Sequence, residues 1–238
     1  MGANKSVMPR EDNDDPTPTC GMRKAPEKVV EFNSRVGAGV GAGYRVLSNF
    51  CAVPGGIKWK GRMYPSSEHI YQMELKADPS CWHMFECGGV LGSLESGFEA
   101  MGYKGDELQK KLKAWGPLKS GRPCMVGIVA KMGINRPEKV AGLKLKPKPE
   151  DDFDEQQLIE IFLPILKAKW RDFREYRVAL KAVPKDAVLV EFSGRAEFET
   201  KQGRPPRWTG HVSGGVLYGQ NLGGRLMDMV RAEMIDEE

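Results

Sequence analysis

The stretch FDEQQLIEIFLPILKAKW, residues 153–170, reads as an amphipathic helix. Leu158, Ile161, Phe162, Ile165 and Leu166 recur at three- and four-residue spacing, which places them on one face of a 3.6-residue period. Asp154 and Gln157 precede that run in the pattern of a capping box. Pro164 has no amide hydrogen and is expected to kink the helix. Working outward, further helices are expected at about 105–115, 172–181 and 222–235, the last with Leu222, Leu226, Met229 and Val230 on one side. Pro65-Ser66 opens another helix, with Ser66 as N-cap. Strand signals are short by comparison: 44–50, then 57–59 after the turn residues Pro54-Gly55-Gly56, and the β-branched alternation of 187–192. The pattern predicts an α+β fold, a predominantly helical single domain with a few short strands.

Residues 1–35 are expected to be a disordered N-terminal tail and 36–238 the domain, its ordered part beginning near Tyr44. The first thirty residues are rich in Asn, Asp, Pro and Lys and poor in apolar side chains. Gly37 to Gly43 alternates glycine with small residues and reads as a hinge. It is not read as a phosphate loop, because no helix with Lys-Ser/Thr follows it. At 238 residues the chain can bury a good core without metal or disulfide staples. No apolar run approaches the roughly 18 residues that span a bilayer, and the N-terminus lacks a signal-peptide apolar region. Five cysteines, an odd number, predict reduced thiols in a cytosolic or nuclear compartment, and a cytoplasmic location is expected. Cys81, His83 and Cys87 have part of a zinc spacing but lack a fourth ligand, so no metal is expected. Met1-Gly2-Ala3-Asn4-Lys5-Ser6 fits the pattern for N-myristoylation of Gly2, which would give weak membrane attachment through a single acyl chain. The net charge is +4, and residues 104–148 carry twelve Lys or Arg against three Asp or Glu. That stretch is either a solvated face or a surface for phosphates and nucleic acid.

Two polar motifs stand about 140 residues apart in the chain. The first is Leu47-Ser48-Asn49-Phe50 with Tyr64-Pro65-Ser66-Ser67-Glu68-His69-Ile70-Tyr71-Gln72. The second is Trp208-Thr209-Gly210 with Gly219-Gln220-Asn221-Leu222-Gly223-Gly224-Arg225-Leu226-Met227. Amides, a carboxylate, aromatic rings and glycines in this mixture suit a flat heterocycle joined to a sugar. Helical spacing puts Glu68, Tyr71, Gln72 and Leu75 on one face. Glu68 near a helix N-terminus is either a dipole-favoured surface acid or a catalytic group. Trp208 can stack on a base, clamp a ribose or anchor the core. Asn49 and Asn221 can read a base edge or a ribose hydroxyl, or cap local backbone. Gly214-Gly215 can bring the chain close to a ligand or make a tight turn.

In this order the two motifs resemble those of the YbiA-like (NADAR) family of N-glycosidases, over about residues 44–232, with two apparent insertions, one of them at about 77–122. The resemblance implies a YbiA-like fold and cleavage of a ribosyl C–N bond. The substrate would be a phosphoribosyl-amine of the riboflavin-pathway type or an ADP-ribose adduct such as ADP-ribosylated guanine, including one carried on nucleic acid. It implies no metal or redox cofactor. It makes Glu68 the chief catalytic group and places Asn49, Phe50, His69, Gln72, Trp208, Gly210 and Asn221 around the substrate. It further implies that Arg136 binds a phosphate, that Lys169 contacts phosphate or an opened ribose, and that Phe153 stands where relatives place a tryptophan. The family often carries an aspartate after Trp-Gly in the second motif. Here His211 follows Gly210, and His211 is the candidate to replace it as proton donor. Two other classes of function follow from the same residues: a catalytically weak ADP-ribose or nucleotide-binding module, and a membrane-tethered interaction protein using Gly2 and the basic stretch.

Overall fold

The structure, a computed structural model, describes residues 21–32, 42–118, 122–147 and 153–235. In chain order its strands and helices are β1 (Met22–Lys24), β2 (Val29–Phe32), β3 (Ile57–Trp59), β4 (Arg62–Tyr64), α1 (Ser67–Lys76), α2 (Leu94–Ala100), α3 (Gly105–Trp115), α4 (Gly127–Asn135), α5 (Glu155–Asp172), α6 (Arg174–Lys181), β5 (Val188–Glu191), α7 (Ala196–Lys201), β6 (His211–Ser213), β7 (Val216–Tyr218) and α8 (Leu222–Ile235). The fold is α+β and predominantly helical, as the sequence predicts. The glycine-rich hinge up to residue 41 and the Gly2 motif lie outside the described residues. No helix among the described residues is long and apolar enough to cross a membrane.

Helix α5 is the spine. Asp154 accepts from the Gln157 amide at 2.8 Å and Gln157 Oε1 accepts from the Asp154 amide at 3.2 Å, so both halves of the capping box form. Leu158, Phe162, Ile165 and Leu166 are buried along one face. Each such side chain contributes roughly 1.5–3 kcal/mol of burial free energy. Helix α1 packs between α4 and α5, while α8 packs on α5 and β5. Pro164 lies within α5 without ending it.

The sheets are small. β3 and β4 form a hairpin in register Ile57 opposite Tyr64. β6 and β7 form a second hairpin through Gly214 and Gly215, whose φ of 56° and 77° suit the left-handed turn residues glycine supplies cheaply. These glycines therefore make a tight turn. β1 adds antiparallel to β7, and β2 pairs parallel with β5.

Those last two pairings correct the expected tail. Residues 22–24 and 29–32 lie within 1–35, yet they complete two sheets and bury Phe32 fully. Their partners are roughly 160 to 200 residues away, so local composition carries no sign of the pairing. A second correction concerns residues 44–50. Residues Ala42–Leu47 form a 3-10 helix instead of a strand, with local bonds such as Ser48 N to Arg45 O at 3.2 Å. The winding turns the carbonyls of residues 46–48 toward a buried lysine described below.

Candidate functional site

The first motif is held in three places, two by backbone-to-backbone bonds and one by a buried side chain. The amide of Glu68 donates to Asn49 O at 3.1 Å, and the amide of Gly127 donates to Phe50 O at 3.0 Å. A Cβ on Gly127 would stand 2.7 Å from Phe50 Cα and 2.8 Å from Glu68 Cβ. Only a glycine therefore lets α4 start against both residues. Lys169 supplies the third hold. Its buried ammonium donates to Val46 O at 2.9 Å, Ser48 O at 2.8 Å and, more weakly, Leu47 O at 3.5 Å. It lies 4.6 Å from the centre of the Tyr176 ring. Burial pushes the Lys169 ammonium down to about 8, partly opposed by its electrostatic interaction with the nearby Cys51 and Glu191 side chains.

Together these place Asn49, Phe50, Glu68, Tyr71 and Gln72 on the wall of a cavity of about 630 Å³, within the range of small-molecule sites. Trp208 and Thr209 of the second motif stand on the same wall. The Trp208 ring meets Tyr71 and Phe162 edge-on, at centroid distances of 5.2 and 5.4 Å. It is both a cavity wall and a core contact. Glu68 is 5% exposed, and its Oε1 accepts from Gln72 Nε2 at 2.7 Å. That bond joins neighbours one helical turn apart, the spacing read from the sequence. The carboxylate also lies in the first turn of α1, where the helix dipole favours negative charge.

Several expected site residues do other work. His69 is fully buried and does not line the cavity. A carbonyl can only accept, so His69 Nε2–H donates to Leu91 O, and Nδ1 accepts from the Ser66 hydroxyl, both at 2.8 Å. Ser66 thus occupies the N-cap position of α1 while spending its hydroxyl on the ring, leaving no side-chain cap bond to the backbone. Arg136 caps the end of α4 and reaches Tyr103 OH at 3.4 Å, off the cavity. The cations on the cavity wall are Lys76, Lys131 and Arg195. Phe153 is packed against the core, with its carbonyl accepting from Arg207 at 3.1 Å; the α5 ring on the cavity wall is Phe162. His211 sits on β6 against Phe192, at 5.2 Å between ring centres, with Nδ1 buried and without a hydrogen-bond partner. It does not line the cavity, so it cannot take the proton-donor position expected of it. Lys169 is replaced as a substrate contact by its hold on residues 46–48.

Asn221 and Gly210 frame the site from behind. Asn221 Oδ1 accepts from Glu191 N at 3.0 Å and Nδ2 donates to Leu189 O at 2.8 Å. Gly210 N donates to Glu191 O at 2.8 Å. Both act on β5, whose last residue, Glu191, lines the cavity. Sequence reasoning missed Glu191. Its signal was an acidic residue closing an otherwise apolar strand. Trp115, at the end of α3 in the segment read as inserted, also lines the cavity. Away from it, Cys81 Sγ bonds to Gly142 O and the Lys144 amide, both at 3.2 Å, and no group of three metal-ligating side chains gathers among the described residues.

The buried His69 gives a pH prediction. Burial lowers its pKa to about 4, the bond to Leu91 working weakly against this. The folded value lies below the ordinary 6.5, so the unfolded chain binds the proton more readily. The contribution is complete above pH 6.5 and is lost as pH falls through 4. It amounts to about 3 kcal/mol at its largest. Melting curves from pH 7 to 4 should therefore fall less steeply for His69→Gln than for the unaltered chain. Equal slopes would count against the buried neutral ring.

Comparison with known proteins found one similar solved structure, the NMR structure of the E. coli protein YbiA. It is 19% identical, 90% of each chain is covered, and the TM-score is 0.40. No family model matches the chain, and neither does any curated protein.

Proposed function

We propose that the protein is an N-glycosidase that hydrolyses the C–N bond joining ribose to a base or base-like amine. The observation that carries this reading is convergence: residues of two motifs about 140 apart in sequence line one cavity, Asn49, Glu68 and Gln72 from the first and Trp208 from the second. Breaking such a bond builds positive charge at C1′ and negative charge on the leaving nitrogen. A carboxylate can stabilise the first and take the proton of an attacking water. Trp208 and Phe50 offer faces for a flat base. Lys76, Lys131 and Arg195 offer charge for phosphate on the same wall. This supports a phosphorylated substrate, a phosphoribosyl-amine or an ADP-ribose adduct such as ADP-ribosylated guanine.

The test is incubation with a panel of ribosylated amines, including riboflavin-pathway intermediates and ADP-ribosylated guanine, scored by mass spectrometry for released base. Release from at least one substrate is expected. A folded protein that binds several of them and releases base from none would replace this reading with that of a nucleotide-binding module.

A further inference from the structure

The second motif lacks the expected carboxylate, and another segment provides one. Glu191 closes β5 on the cavity wall. Its carboxylate lies so close to Gly223 Cα that a Cβ there would collide with Oε2. Two residues of the second motif fix its backbone. Asn221 brackets it through the two side-chain bonds to Leu189 and Glu191, and Gly210 binds its carbonyl. Asn221 holds this position at φ 53°, a left-handed conformation that asparagine tolerates better than most residues. The glycines and asparagine of the second motif thus act on Glu191, which explains why this motif needs them without its own acid.

We propose that Glu191 is the catalytic acid that protonates the leaving nitrogen while Glu68 serves the sugar side. This role rests on the N-glycosidase reading above. A water oxygen bonds to C1′ as the C1′–N bond breaks and its electron pair passes to nitrogen. Nitrogen takes the proton of the Glu191 carboxyl, and Glu68 takes one from the attacking water. The products are a sugar hydroxyl and an N–H base. Return of a proton from Glu68 to Glu191 through solvent resets the pair.

The surroundings of Glu191 suit an acid that keeps its proton near neutrality. Burial, followed by the negative charge of Glu68 on α1, pushes its carboxyl up to about 7. Lys131 on α4 and Lys169 on α5 pull the other way. Arg195, just before α7, lines the same cavity. On β2, Glu31 pairs with Val190 beside it; on α8, Asp228 accepts from the Leu189 amide at 3.2 Å. Unequal carboxylates of this kind divide acid and base work between them. The acid must be protonated, so turnover of a neutral leaving group should fall as pH rises above 7.

The experiment compares the unaltered chain, Glu191→Gln, Glu191→Asp and Glu68→Gln, each checked by thermal melt. Two substrates are used: the best neutral N-riboside from the panel, and nicotinamide mononucleotide, whose pyridine leaves without needing a proton. Glu191→Gln should lose about 10²-fold or more on the neutral substrate and less than about 10-fold on the pyridinium riboside. It should also lose the fall in rate above pH 7, which Glu191→Asp should retain. Glu68→Gln should lose activity on both substrates. Equal losses of Glu191→Gln on both substrates, or an unchanged high-pH limb in that variant, would overturn the role. An unaltered chain that cleaves no N-riboside would overturn the function itself, and this role with it. An active chain with a fully active Glu191→Gln variant overturns the role alone.

Discussion

Glu68→Gln is expected to slow release of base by about 10²–10⁴-fold, the usual worth of one positioned acid–base group, and by more if the carboxylate also stabilises the C1′ cation. The geometry makes this substitution informative. Glutamine matches glutamate in size, and Glu68 Cβ sits in a slot that Gly127 leaves only just wide enough. The replacement's carbonyl oxygen can still accept from Gln72 Nε2, which now binds Glu68 Oε1 at 2.7 Å. The backbone bond from residue 68 to Asn49 O is untouched. What disappears is the negative charge. Its removal from the first turn of a helix costs up to about 2 kcal/mol for a buried group, so melting temperature should move by only a few degrees. Turnover and melting temperature should be measured on one preparation. A folded variant with full activity would end the assignment and leave Glu191 as the acid to examine.

The charge of Glu68 also bears on its neighbour. Because that charge helps raise the Glu191 carboxyl, Glu68→Gln should shift the high-pH limb of any residual activity downward. The two carboxylates are thus one electrostatic unit, and single substitutions at the two positions will not add in free energy.

How much of this was legible beforehand depends on the range of the interactions. Helix α5 was readable because its period, cap and length all lie within about twenty residues, and α3 and α8 fall on the predicted ranges, 105–115 and 222–235. The face of α1 was readable for the same reason: Glu68 and Gln72 are one turn apart and do bond. The roles of Lys169 and Asn221 were not. A lysine in an apolar helix and an asparagine before one give no local sign that their partners are the carbonyls of residues 46–48 and the edge of β5. Glu191 was hidden because its meaning depends on α1, α4 and α8 arriving around it. His211 misled because adjacency to Trp208 in sequence is not adjacency in space once residues 211–213 become a strand. The motif residues were found more readily than the parts that hold them.

Deletion of residues 1–35 is expected to abolish cooperative unfolding, against the reading of this segment as a tail. Phe32 is fully buried, and loss of a buried phenylalanine side chain alone costs about 3–5 kcal/mol. The same cut strips β5 of its parallel partner, removing the bonds from Val188 N to Lys28 O at 3.0 Å and from Phe192 N to Phe32 O at 2.9 Å. It also strips β7 of β1, with the bonds from Gly219 N to Gly21 O at 2.9 Å and from Ala25 N to Gly215 O at 2.8 Å. Each of these contributes about 0.5–1.5 kcal/mol. A domain has only about 5–15 kcal/mol in all, so the deletion reaches most of it. The effect should extend to the site, since β2 pairs along the strand that ends in Glu191. Phe32→Ala in the full chain provides the graded form of the test: a loss of about 3–5 kcal/mol in denaturant unfolding. A chain starting at residue 36 that melts cooperatively at the temperature of the full protein would show that β1 and β2 are ornaments on a core that stands without them.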